Sequence, residues 1–178
     1  MRKSSFHGRW VAVGLLAGAF AASGSSVPSA RAACGDPTEY WTGTNNADTR
    51  YDTTDGVDEQ NIWTFKDGQD FGRSLPCVDT QYGGEHADDL GGGSAQDNVY
   101  GQLGNDDLYG GQARDGLVGS DGADELFDSE TGDDDIAWGQ IGPDLLDLRD
   151  GDTLDEVDGG AGTDNCNVDP GEPTINCP

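Results

Sequence analysis

Broken every nine residues, the stretch 83–127 reads GGEHADDLG, GGSAQDNVY, GQLGNDDLY, GGQARDGLV and GSDGADELF. Five rows follow one another without a gap. The sixth column is always aspartate, at Asp88, Asp97, Asp106, Asp115 and Asp124, and the eighth is always aliphatic, at Leu90, Val99, Leu108, Leu117 and Leu126. A disordered acidic tract has no reason to set an aliphatic residue two places after each aspartate. A fixed short period is instead the mark of one small structural unit stacked on itself. With short insertions the register continues through Gly132-Asp133-Asp134-Asp135-Ile136, Gly142-Pro143-Asp144-Leu145-Leu146 and Asp155-Glu156-Val157. It ends in GGAGTDNCN, residues 159–167. Asp134, Asp144, Asp155 and Asp164 thereby join the aspartate column. Ile136, Leu146 and Val157 join the apolar one, and Cys166 closes it.

One row reads as a six-residue turn followed by a three-residue strand. Glycine in the first columns permits the positive φ that a tight turn needs, and the eighth-column side chain points into a narrow interior. Two rows, 18 residues, make one coil.

The rows follow the nonapeptide G-G-x-G-x-D-x-U-x and resemble the hemolysin-type calcium-binding repeat of the RTX (repeats-in-toxin) family, over residues 83–167. The resemblance implies an all-β chain, a parallel β-roll (a right-handed β-solenoid), with calcium held between successive turns on both edges. The implied ligands are Asp88, Asp106, Asp124, Asp144 and Asp164 on one edge and Asp97, Asp115, Asp134 and Asp155 on the other. Stacked carboxylates about 4 to 5 Å apart repel by several kcal/mol per pair near a protein surface. Calcium prefers six to eight oxygen ligands and turns that repulsion into attraction, so folding and ion binding should be coupled. Column four holds His86, Ala95 and Ala113 where the family pattern has glycine, at about 1 kcal/mol each if the backbone must be left-handed. The edge through Asp106, Asp124, Asp144 and Asp164 is therefore expected to bind more tightly.

Composition agrees. The 178 residues carry 35 Asp and Glu against 9 Lys and Arg, a net charge of −26, with 29 glycines and a hydrophobic fraction of 33%. Such a balance excludes nucleic acid as a partner and argues against an anionic membrane surface. The apolar fraction is below the roughly 45–50% of ordinary domains, so a conventional core alone does not hold the fold. Arg2, Lys3 and Arg9, the apolar run Val11–Ala22 and the small-x-small pattern at Ala30-Arg31-Ala32 predict a secretory signal peptide over residues 1–32, with an apolar run too short to cross a membrane. Cleavage there would leave 35 acids against five bases, Arg50, Lys66, Arg73, Arg114 and Arg149, a net charge of −30. Of those acids 28 are Asp, the short carboxylate suited to a tight cation-binding loop.

Cys34, Cys77, Cys166 and Cys177 are an even set with no CxxC spacing, which in an exported chain favours disulfides. Three pairings are open; Cys34–Cys77 and Cys166–Cys177, one near each end, are expected. Residues 33–82 carry the pattern faintly, at Asp48, Asp58 and Asp70, but their eighth columns would be Arg50, Gln60 and Gly72, which do not suit an apolar interior. Together with Tyr40, Trp41, Tyr51, Trp63, Phe65 and Phe71 they read as an N-terminal cap of degenerate repeats. Residues 168–178 read as a tail closed by the second disulfide.

Catalysis has little to stand on. With His7 in the signal peptide only His86 remains, so no HExxH zinc motif forms, and there is neither a GxSxG elbow nor an EF-hand loop. The expected function is a secreted, extracellular, non-enzymatic calcium binder. The alternative is an adhesion or carbohydrate-interaction module with a protein or glycan partner, for which Tyr100, Tyr109, Phe127 and Trp138 are the aromatic candidates.

Overall fold

Alternating a turn-forming Gly/Asp segment with an apolar strand forces the chain to fold back at every row, and the computed structural model shows the result for residues 39–51 and 60–177. Strands follow one another as β1 (Glu39–Thr42), β2 (Thr49–Tyr51), β3 (Asn61–Thr64), β4 (Phe71–Arg73), β5 (Thr80–Glu85), β6 (Asp89–Ser94), β7 (Asn98–Leu103), β8 (Asp107–Gln112), β9 (Gly116–Asp121), β10 (Glu125–Phe127), β11 (Ile136–Ile141), β12 (Leu145–Asp147), β13 (Glu156–Ala161), β14 (Asn165–Asn167) and β15 (Thr174–Ile175). Odd strands form one parallel sheet and even strands the other, each in chain order. The described residues thus form an all-β solenoid of about seven turns, consistent with a parallel β-roll. Residues 1–32, where a signal peptide is expected, Cys34 and Asp58 lie outside the described residues.

Paired residues are 22 apart in the first coil (Thr49 with Phe71), 18 through the middle (Asp89 with Asp107) and 20 near the end (Leu145 with Asn165). The core is a single file between the sheets. Leu90, Val99, Leu108, Leu117, Leu126, Leu146 and Val157 are fully buried there, as their column requires. Each contributes roughly 1.5–3 kcal/mol, one side chain per row.

The row is divided differently from the sequence expectation. In β5 to β9 the strand runs six residues, through the first three columns of the next row, and the turn shrinks to three residues. The first-column glycines continue the extended backbone before the chain bends. The register after Phe127 is also corrected. The connection from β10 to β11 spans residues 128–135, and Ala137, not Ile136, enters the core while Ile136 is half-buried on the outer face. Leu148 joins the core from the first column of a later row.

Both sheets continue without a break through residues 60–82. Trp63 and Gln81 take the inward seats there, and Gln60 is exposed. Gly72 is inward too, and the Phe65 ring occupies the space beside it: a methyl group at Gly72 would lie 2.9 Å from two ring carbons. The Gln81 amide Nε2 donates to Ser74 Oγ (2.8 Å) and the Gly91 carbonyl (2.6 Å), which offsets its burial. Arg50 stacks on Trp41 and Trp63, 5.6 and 5.5 Å from their ring centres, and pairs with Glu39. Polar inward residues are therefore accommodated, through the Gln81 amide nitrogen and the stacking of Arg50, rather than excluded.

At the other end Cys166 and Cys177 are joined by a disulfide, which holds the last segment beside β14 and brings β15 onto β13. Cys77 is also disulfide-bonded.

Candidate metal centre

The three-residue turns place every sixth-column carboxylate in the interior at an edge of the roll, where it has one fixed job. Its Oδ1 accepts a hydrogen bond from the backbone N–H of the equivalent aspartate one coil earlier. On the first edge the donor–acceptor series runs Asp48 to Asp70 (2.6 Å), Asp70 to Asp88 (2.8 Å), Asp88 to Asp106 (2.8 Å), Asp106 to Asp124 (2.9 Å), Asp124 to Asp144 (2.9 Å) and Asp144 to Asp164 (3.0 Å). On the second it runs Asn61 to Asp79, Asp79 to Asp97, Asp97 to Asp115, Asp115 to Asp135 and Asp135 to Asp155, at 2.6–2.9 Å.

Eight of the nine sequence-derived residues, Asp88, Asp97, Asp106, Asp115, Asp124, Asp144, Asp155 and Asp164, are buried members of these ladders. Asp134 is not. The turn at 128–135 has two residues more than the regular row, so Asp135 takes the ladder position and Asp134 is exposed. Sequence reasoning noted Asp48 and Asp70 only as isolated elements and did not include Asp79. Counting back one coil length of 18 from Asp88 and Asp97 reaches Asp70 and Asp79.

The second carboxylate oxygen is what makes the ladders chemically unfinished. Oδ2 of Asp70, Asp88, Asp97, Asp106, Asp115, Asp124 and Asp144 is buried without a hydrogen-bond partner. Beside it stands the first-column glycine, whose missing side chain lets carboxylate and backbone carbonyl oxygens come together. A methyl group at Gly101 would overlap Asp106 Oδ2 and lie 2.9 Å from the Gly119 carbonyl; at Gly92 it would lie 2.7 Å from Asp97 Oδ2 and 2.9 Å from the Gly110 carbonyl. Carboxylate and carbonyl oxygens around a space that holds no side chain are a donor set for a hard cation, and calcium is such a cation.

No protein cation is assigned to the task. The ion pairs among the described residues are Arg50–Glu39, Arg73–Asp89 and Arg149–Asp147, and none involves a ladder carboxylate. Burial accordingly raises the carboxyls from the usual 3.8: Asp106 to about 6, Asp124 and Asp155 to about 7, Asp88, Asp97 and Asp135 to about 8, and Asp115 to about 9. The N–H from the preceding coil opposes the rise, and carboxylates in neighbouring coils add to it in most cases.

The edges differ in their bends. On the first, column four is glycine at Gly104, Gly122, Gly142 and Gly162, and a methyl group at Gly122 would collide with the Gly104 carbonyl. His86 (φ 85°) and Ala113 (φ 75°) adopt the left-handed backbone despite a side chain, whereas Ala95 does not. The second edge carries two carboxylate groupings: Asp115, Asp128 and Asp135, and Asp150, Asp152, Asp155 and Glu172. Asp128, Asp150, Asp152 and Glu172 stand outside the aspartate column, which is why periodicity did not find them.

The candidate aromatics do not share a face. Tyr100 and Trp138 stand on odd strands and Tyr109 and Phe127 on even ones; Tyr100 stacks on Tyr82 and Tyr109 on Phe127. Among the described residues no helix is long and apolar enough to cross a membrane. Compared with known proteins, the chain matches no family model, no curated protein and no solved structure.

Proposed function

We propose that this chain is a secreted, non-enzymatic calcium-binding protein of the RTX type, in which ions held between successive turns complete the fold. The observation that carries the reading is the row of buried Oδ2 atoms without a hydrogen-bond partner, of which those of Asp88, Asp97, Asp106 and Asp144 share a first-column glycine with a backbone carbonyl of the next coil. Asp88, Asp106, Asp124, Asp144 and Asp164 would hold ions on one edge, and Asp97, Asp115, Asp135 and Asp155 on the other, with Asp70 and Asp79 extending the series. Bound calcium would supply positive charge that the ladders otherwise lack. The chain's own part is to fix each carboxylate through its Oδ1 bond and to keep the first column free of side chains. The disulfide suits an oxidising, extracellular compartment.

Calorimetric titration with calcium, alongside circular dichroism in calcium and in excess EDTA, tests this. The expected result is several ions bound per chain and a strand signal that collapses on chelation. An identical strand signal in both conditions would reject coupled folding, and the absence of heat would reject calcium.

A second reading rests on the outer face of the even sheet. Tyr109, 37% exposed, stacks on Phe127 with Arg73 over its ring, with Asp107 on its own strand and Asp89 and Glu125 on the adjacent ones. Aromatic rings beside carboxylates suit a glycan. Retention on immobilised polysaccharides that Tyr109→Ala abolishes would favour it.

A further inference from the structure

On the second edge the regular rows place glycine in the first column, at Gly92 and Gly110. After β10 that position is Asp128, the first residue of the widened turn 128–135. Its side chain does not turn to solvent: Asp128 is 5% exposed. Its carboxylate lies over the α-carbon of Gly110, where a methyl group would overlap Asp128 Oδ2 and sit 2.8 Å from Asp115 Oδ2. The missing side chain at Gly110 is therefore what makes room for it.

Three carboxylates meet here. Asp115, Asp128 and Asp135 are all buried and offer oxygens within 4.8 Å of one another. Each is oriented by the backbone. Asp128 Oδ2 accepts from the Gly111 N–H (3.0 Å) and Oδ1 from the Glu130 N–H (3.2 Å), Asp115 Oδ1 accepts from Asp97 (2.7 Å), and Asp135 Oδ1 from Asp115 (2.7 Å). Of the two oxygens left, Asp115 Oδ2 is buried, has no partner and faces the cluster from a residue only 2% exposed. None of the three forms an ion pair with Lys or Arg.

We propose that Asp115, Asp128 and Asp135 form a discrete cation site created by the widened turn, with a donor set of three carboxylates unlike the one-carboxylate cradles of the regular rows. Three buried carboxylates suit a hard divalent cation, and calcium, which takes six to eight oxygen ligands in flexible geometry, accepts such a set more readily than magnesium, which demands an octahedron and keeps several waters. The inference rests on the calcium reading only for the choice of ion.

The test is calorimetric calcium titration of the full chain and of two variants. Asp128→Asn removes the charge, and Asp128→Gly restores the glycine of the regular rows, so that one tolerates whatever strain the other introduces; dichroism in calcium reports folding. The expected result is one ion fewer per chain in both, with the affinity of the ions on the opposite edge within about two-fold, because that edge shares no ligand with this site. An unchanged ion count and affinity in a folded variant overturns the proposal. If the wild-type chain binds a single ion that Asp128→Gly abolishes, this site stands and the ladder reading falls. If the wild-type chain binds none, both fall.

Discussion

Replacing Asp106 by asparagine should shift stability in opposite directions with and without calcium. Asp106 is 0% exposed, with Oδ1 receiving the Asp88 N–H at 2.8 Å and Oδ2 buried without a partner. Asparagine keeps the shape and the Oδ1 acceptor, removes the buried charge, and places an NH₂ close to the Gly119 carbonyl. Without a cation, burial raises the Asp106 carboxyl from 3.8 to about 6, which at neutral pH corresponds to roughly 3 kcal/mol against the folded state. The variant avoids most of that. With calcium at about 100 times its dissociation constant, each occupied site adds about 2.7 kcal/mol, and a neutral amide in the cradle forfeits it. The assay is a pair of dichroism-monitored titrations: protecting osmolyte in excess EDTA, where Asp106→Asn should fold at lower osmolyte, and urea in saturating calcium, where it should unfold at lower urea. Destabilisation in both conditions would mean that Asp106 is an ordinary structural acceptor and that the cradle holds no ion.

The pH dependence follows from the same carboxyls. Their folded values, about 6 to about 9, lie above 3.8, so the cation-free roll keeps protons that the unfolded chain has already released. Its stability is fully present below about pH 4 and is lost as pH rises through those folded values, by about 1.4 kcal/mol per unit for each group involved. Thermal melts in EDTA, with enough protecting osmolyte to fold the roll, should show the transition falling from mildly acid to mildly alkaline buffer, and a rise would contradict the burial argument. Leu108→Ala empties a fully buried seat and should cost about 2–5 kcal/mol, measured by urea unfolding in calcium; a cost below 1 would place Leu108 outside a packed core. Gly122→Ala sets a methyl group on the Gly104 carbonyl and should lose calcium affinity on the first edge while leaving the widened turn's ion in place. Replacing both Cys166 and Cys177 by serine opens a short loop and should lower stability by about 3 kcal/mol in the same urea assay, whereas an unchanged midpoint would show that β15 needs no staple.

The repeat was legible because both of its demands are written at single positions: an aspartate whose carboxylate must meet the next coil, and an apolar residue with one place to go. Where either demand is met by something other than the residue in that column, the reading slipped. Arg50 and Gly72 looked unfit for an interior, yet Arg50 stacks on Trp41 and Trp63, and Phe65 fills the space beside Gly72. Three consecutive aspartates, Asp133 to Asp135, let the register fall on Asp134. The spacing of 20 that links Asp135 to both Asp115 and Asp155 decides for Asp135, and it becomes compelling only when the backbone donors are in view. Asp128 was invisible to periodicity because it matters by departing from the column it occupies.

Every ladder bond points the same way, from the amide of one coil to the carboxylate of the next. The roll therefore has a polarity of assembly. A coil entering the structure from the N-terminal side finds its edge amides satisfied only when its successor arrives, whereas a C-terminal fragment carries its acceptors with it and leaves at its cut face carboxylate oxygens that water solvates readily. Fragments that keep the C-terminal coils should outlast fragments that keep the N-terminal ones under proteolysis. Growth from the N-terminus always leaves an unfinished front, one coil deep, that the following 18 to 20 residues must close.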